Sequence, residues 1–187
     1  SDDDYQRVLT HTIMDKQLKV RYKKDNETKQ WKMKASFIVD HSAKSVYDYL
    51  VNDMMNNKRS SWNTKIMEQG MEKLLDKDHF IAQQTFASFK SQDKFMDFVL
   101  LTCLKSDIDS KRYMMVFASV SNYADFGPQK GKDRAIVLPS GFEICGVKDD
   151  VNKCLVSYRA HMTNTSVLTV SADLLGETDE FFEALLN

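Results

Sequence analysis

From residue 64 to residue 162 six strand-like runs rich in apolar residues follow one another, over 64–72, 79–86, 95–105, 112–122, 135–147 and 153–162. No stretch with helical spacing lies between the runs, and parallel strands need a crossover of a dozen or more residues, usually a helix. The six runs are therefore expected to pair as one antiparallel meander.

Two alternating stretches precede them. Leu18, Val20 and Tyr22 alternate with Lys19, Arg21 and Lys23, and Trp31, Met33, Ala35, Phe37 and Val39 alternate with Lys32, Lys34 and Ser36. With Asp25-Asn26-Glu27 as the turn, they predict a hairpin with one buried face and one basic, solvated face. Three segments have helical spacing instead. Tyr5, Val8, Leu9, Thr12 and Ile13 behind Asp4 predict a short opening helix. Ser42 is a suitable cap for a second helix with the stripe Ala43, Val46, Tyr47, Leu50, Val51 and Met54. The third sets Leu174, Leu175, Thr178, Phe181, Phe182 and Leu185 on one side and a row of acids on the other. The fold class is α+β, a long antiparallel sheet bracketed by helices that can curl around the last helix and leave a cavity.

With 187 residues, 42% of them apolar, the chain is expected to form a single domain over 1–187. Its net charge of −1 lacks the positive field that nucleic-acid binding needs. The longest apolar run, Phe98 to Leu104, is broken by Thr102 and is too short to span a bilayer, so a soluble protein is expected. The opening Ser-Asp-Asp-Asp has the wrong charge for a signal or transit peptide. Cys103, Cys145 and Cys154 are odd in number and widely spaced, and read as buried free thiols of a reducing, cytoplasmic setting. No metal and no cofactor is implied. His11, His41, His79 and His161 lack partners at ligand spacing, and Walker, dinucleotide and Gly-x-Ser-x-Gly motifs are missing from the sequence.

Several strings resemble the START family, the StAR-related lipid-transfer domains with a helix-grip fold. They are Arg59-Ser60-Ser61-Trp62-Asn63, Asp97-Phe98-Val99, and Asp125-Phe126-Gly127-Pro128-Gln129-Lys130-Gly131 with Arg134-Ala135 and Pro139-Ser140-Gly141-Phe142 after it. From Val156-Ser157-Tyr158 through His161-Met162 to Leu175-Gly176 the chain looks most like the START module of cytosolic acyl-CoA thioesterases. Hotdog domains carry the hydrolysis in those enzymes, and this chain has no such sequence. In two places it departs from the family pattern. Asn63 replaces the aspartate after the tryptophan, and Thr102 stands where many sterol-type members have arginine.

The resemblance implies a Bet v1-like curved sheet around a long C-terminal helix, and a non-catalytic domain that binds one hydrophobic ligand, whether phospholipid, fatty acyl species or sterol. Its role would be intracellular lipid transfer or ligand-dependent control of an attached enzyme. Transient membrane contact is implied; the oligomeric state is left open. The expected ligand-binding residues are Arg59, Trp62, Asn63, Thr102, Met115, Arg134, Tyr158 and Phe181, and the expected gate is Phe126, Gly127 and Gly131, within the segment Tyr123 to Asp133. Some of these residues also have a structural reading. Arg59 suits a ligand oxygen or the C-terminal dipole of the second helix. Trp62 suits a core anchor, and Arg134 suits an ion pair with Asp97. Met33, Met96, Met114, Met115 and Met162 offer adaptable walls for acyl chains. The competing reading is a helix-grip enzyme acting on a ligand inside the cavity, which needs a base and its orienting partner beside that ligand.

Overall fold

The computed structural model describes residues 7–13, 16–24, 31–56, 59–60, 66–87, 95–120, 126–127 and 130–162. Strands β1 (Arg7–Ile13), β2 (Lys16–Lys24) and β3 (Trp31–Val39) are followed by helix α1 (Ala43–Asn56). After it come β4 (Ile66–Asp76), β5 (His79–Ala87), β6 (Phe95–Asp107), β7 (Arg112–Ser119), β8 (Lys132–Arg134), β9 (Val137–Val147) and β10 (Asp150–Met162). Among the described residues the strands form one sheet in the order β1-β2-β3-β10-β9-β7-β6-β5-β4, with β8 beside β6.

The six runs are strands, and their antiparallel succession from β4 to β10 is the meander expected of strand-like runs with no helix between them. Two features depart from a plain meander. After β10 the sheet continues into β3, so the first hairpin and the meander share one surface. The short β8 runs parallel to the first residues of β6, Phe95 to Asp97, where β7 does not reach, because β7 pairs with β6 only from Leu100 onward.

The opening helix is corrected. Residues 7–13 form β1, paired antiparallel with β2 from Arg7↔Tyr22 to Ile13↔Lys16. Val8, Thr10, Thr12 and Ile13 are β-branched, which favours a strand once a neighbouring edge is there to pair with. The predicted hairpin of β2 and β3 is present. In β3 Met33, Ala35, Phe37 and Val39 are buried, while Lys32 and Ile38 are exposed. Its turn residues, and the predicted helix 174–185, lie outside the described residues.

Helix α1 begins as predicted. Ser42 accepts the Ser45 amide N–H on its Oγ at 3.2 Å, and its carbonyl takes the first helical hydrogen bond, from Val46, at 3.1 Å. Such a cap is worth about 1 kcal/mol. Ala43, Val46, Leu50 and Met54 are buried against the sheet, and full burial of a side chain such as Leu50 contributes about 2 kcal/mol.

The sheet is curved, and the string Pro139-Ser140-Gly141-Phe142 supplies part of the bend. The β9–β10 register shifts between Arg159 and His161. There the Ser140 hydroxyl stands in for the interrupted ladder, accepting the His161 amide N–H at 2.9 Å and donating to the Leu138 carbonyl at 2.8 Å. A Cβ on Gly141 would lie 2.1 Å from the Met115 carbonyl oxygen. Only glycine permits β7 and β9 to approach so closely.

Of the three thiols only Cys154 is buried; Cys103 and Cys145 are partly exposed, and all three are free. The expectation of three buried thiols is corrected on this point, because Cys103 and Cys145 lie on the face of the sheet away from α1, where side chains are less covered.

Candidate functional site

One face of the sheet carries α1 and nearly all of the apolar core. Phe80, Ala82, Met96, Phe98, Leu100, Tyr113, Met115, Phe142, Ile144, Val156 and Ala160 belong to it. Helix α1 packs on β4, β7, β9 and β10, so it lies across the strands rather than along them. A helix is about 10 Å wide, whereas the 13-residue strands β6 and β10 extend about 43 Å at ~3.3 Å per residue. The helix therefore covers one end of this inner face. At that end Tyr47 packs on Tyr113 with ring centroids 5.1 Å apart, and the Thr102 hydroxyl points at the Met54 sulfur, 3.5 Å away.

Toward the other end the inner face is lined by aromatic rings. Phe86 meets Phe98 edge-on at 5.2 Å, and Phe142 meets Tyr158 at 4.7 Å. Phe86, Phe117 and Tyr158 keep part of their surface accessible. Burial nonetheless pushes the Tyr158 phenol up to about 12. Tyr158 is thus partly accessible yet set deep enough for its charged form to be disfavoured.

Two polar clusters lie on opposite faces of β5 and β6. On the outer face Asp97 is fully buried. Its Oδ2 accepts Arg134 Nε at 2.9 Å and Nη2 at 2.7 Å, and its Oδ1 accepts Gln83 Nε2 at 2.8 Å. The same Arg134 Nη2 also donates to the backbone carbonyls of Phe126 and Gly127 at 3.0 and 3.1 Å. Beside it Lys132 donates to Thr85 Oγ1 and Glu68 Oε2. Asp97, Arg134, Phe126 and Gly127 thus form one joint, which fastens residues 126–127 to β5 and β6.

The inner cluster was not foreseen from sequence. Asp53, on the last turns of α1, is buried and accepts the Ser60 hydroxyl on Oδ2 at 2.9 Å. Gln69 on β4 donates Nε2 to the Asp53 backbone carbonyl at 2.9 Å and to Oδ2 at 2.6 Å. Gln84 on β5, the cross-strand neighbour of Gln69, donates its own Nε2 to Gln69 Oε1 at 3.0 Å.

Of the expected ligand-binding residues, Thr102, Met115 and Tyr158 share the inner face, with Thr102 and Met115 fully buried. Arg134 sits apart from them, on the outer face in the ion pair with Asp97. Arg59 is exposed just past α1. Trp62, Asn63 and Phe181 lie outside the described residues. Of the expected gate, Phe126 is half-buried and Gly127 exposed, and Gly131 takes φ 81°, a conformation suited to glycine. Met33, Met96 and Met115 are buried on the inner face, whereas Met114 is partly exposed on the opposite side. Among the described residues no group of three or more His, Cys, Asp or Glu side chains could hold a metal ion, and no helix is long and apolar enough to cross a membrane.

The curved antiparallel sheet, with α1 across its apolar inner face, is the START/Bet v1-like arrangement. The sequence profile of the START domain matches residues 11–170, and the chain belongs to that family. Its fold is similar to that of human STARD10, at TM-score 0.78 and 17% identity, covering 100% of this chain and 74% of that one. It is also similar to human StAR-related lipid transfer protein 5, at TM-score 0.76 and 13% identity, with 96% and 84% covered. The lipid transfer and protein localization domain of human StarD13 (DLC2) matches at TM-score 0.73 and 18% identity, with 99% and 89% covered. No curated protein matches in sequence.

Proposed function

We propose that the chain binds one lipid against the ring-lined half of its inner face, and that it carries the lipid without altering it. The observation that supports this reading is the helix lying across one end of a long apolar face, with Phe86, Phe117 and Tyr158 partly accessible toward the other end. An apolar surface of that extent binds hydrophobic ligands by removing both partners from water. Thr102, Met115 and Tyr158 serve as wall residues. The segment Tyr123 to Asp133 serves as the gate, with Arg134 as its fastening, and opens at a membrane surface where Phe126 enters the interface. Lipid transfer in the cytoplasm, or control of an attached thioesterase of the kind suggested by the C-terminal strings, are the roles such a carrier would fill.

The test is native mass spectrometry of the protein recovered from its own cells, followed by extraction of whatever is bound. One equivalent of an unmodified lipid is expected. Protein that is free of lipid and takes none from vesicles contradicts the reading, and a bound lipid converted to a product over time favours an enzyme.

A further inference from the structure

The inner cluster fixes which way its amides face. Asp53 offers only acceptors to Gln69, a backbone carbonyl and a carboxylate oxygen, so the Gln69 NH2 must point to Asp53 and its Oε1 away. That oxygen in turn needs a donor, which sets the Gln84 NH2 toward Gln69 and leaves Gln84 Oε1 turned away from it. Gln84 is only 6% exposed, and among the described residues no donor reaches its oxygen. A buried amide oxygen left without a partner costs free energy unless something supplies one.

The surroundings narrow what that something is. Gln84 shares the inner face of β5 with Phe80 and Ala82, and its neighbour across β6 is Phe98. The inner-face positions whose side chains are described on β3, β5, β6, β7, β9 and β10 carry no charged residue; besides Gln84, their polar side chains include Thr102, Ser106, Tyr113, Ser119, Ser140 and Tyr158. A carboxylate or phosphate would find no cation there and would meet an oxygen of like sign at Gln84. An ether or a fully esterified glycerol would leave the oxygen unanswered.

Resting on the lipid-binding reading, we infer that Gln84 Oε1 is the acceptor for the ligand's polar end, and that the ligand is an uncharged lipid bearing a hydrogen-bond donor, a free hydroxyl or an amide N–H. The chain Asp53–Gln69–Gln84 acts as a polarity rule. A buried carboxylate at one end sets the orientation of two amides, so that the site presents an acceptor and not a donor.

The experiment offers the protein phosphatidylcholine vesicles doped with matched pairs and identifies the retained lipid by native mass spectrometry. The pairs are dioleoylglycerol and cholesterol, each beside its O-methyl ether, and an N-acyl amide beside its N-methyl counterpart; oleate and phosphatidate are the charged competitors. At least one donor lipid is expected to be retained about fivefold or more over its methylated partner, the worth of one hydrogen bond, and the pair that responds separates hydroxyl from amide. In Gln84→Met, of similar size but without an acceptor, that preference is expected to vanish while lipid is still taken up. Equal retention of both members of every pair, preferred retention of oleate, phosphatidate or phosphatidylcholine, or a preference that persists in Gln84→Met, overturns the inference and leaves lipid binding standing. Retention of no lipid at all overturns both. The wild-type pairs decide the matter by themselves if the variant does not fold.

Discussion

Gln83 and Gln84 are the same residue on consecutive positions of one strand, yet they belong to opposite kinds of site. Gln83 faces outward and gives its NH2 to Asp97, a carboxylate answered again by Arg134. Gln84 faces inward and gives its NH2 to Gln69, at the end of a row whose last oxygen meets no donor among the described residues. The outer cluster is closed, with both oxygens of its carboxylate engaged, as a joint that holds structure should be. The inner cluster is open at its apolar end, and an open buried acceptor is what a ligand completes. A strand's period of two is what lets adjacent residues serve the two purposes.

The contrast is broken most severely at Arg134. Arg134→Met strips the buried Asp97 of its cation and frees the carbonyls of Phe126 and Gly127, and a loss of about 4 kcal/mol is expected in urea unfolding. A change under 1 kcal/mol would show that the joint carries no structural weight. Gln83→Met removes one hydrogen bond to the same carboxylate, with an expected loss of about 2 kcal/mol by the same measurement. Lipid retention should be unaltered in folded Gln83→Met, since the side chain is on the outer face.

A smaller effect concerns Tyr158. Its pKa in the folded protein, about 12, lies above the value near 10 of an unfolded chain. From about pH 10 to 12 the folded state keeps a proton that the unfolded state has released. The stability contributed by the neutral phenol is thus complete below about pH 10 and is lost as pH rises toward 12. Tyr158→Phe should remove that part of the alkaline decline, a difference of about 1.4 kcal/mol between the two proteins by pH 11. Parallel stability profiles of the two proteins from pH 9 to 11 would show a phenol in contact with water. The smallest expected effect is that of Gln84→Met on the empty protein. It leaves Gln69 Oε1 without a donor but removes the unanswered Gln84 Oε1, so the two offset and a change of under about 1 kcal/mol is expected.

Much of this contrast was readable before the structure, and the part that was not has a physical reason. Strands β2 and β3 follow from alternation, β4 to β7, β9 and β10 follow from strand-like runs with no helical spacing between them, and the pairing of Arg134 with Asp97 follows from two opposite charges in successive START-like strings. The same period-based reading failed at residues 7–13, because Val8, Leu9, Thr12 and Ile13 satisfy helical spacing while pairing with β2 decides the outcome. The three residues of β8 are too few to show any period. The inner cluster was hidden for a different reason. Asp53, Gln69 and Gln84 come from three separate elements, and only the register that sets Gln69 opposite Gln84 brings them together. Glutamine is so common on solvated surfaces that neither residue drew notice in a sequence without the pairing.

The central claim is that the ring-lined inner face, and not the basic outer face of β2 and β3, holds the ligand. The most direct measurement is photo-cross-linking with a neutral lipid that carries a diazirine in its acyl chain, followed by peptide mapping. Adducts are expected on inner-face positions of β5 to β7, β9 and β10, among them Phe86, Phe117 and Tyr158. Adducts confined to Lys32, Ile38, Leu155 or other residues of the outer face would contradict the account.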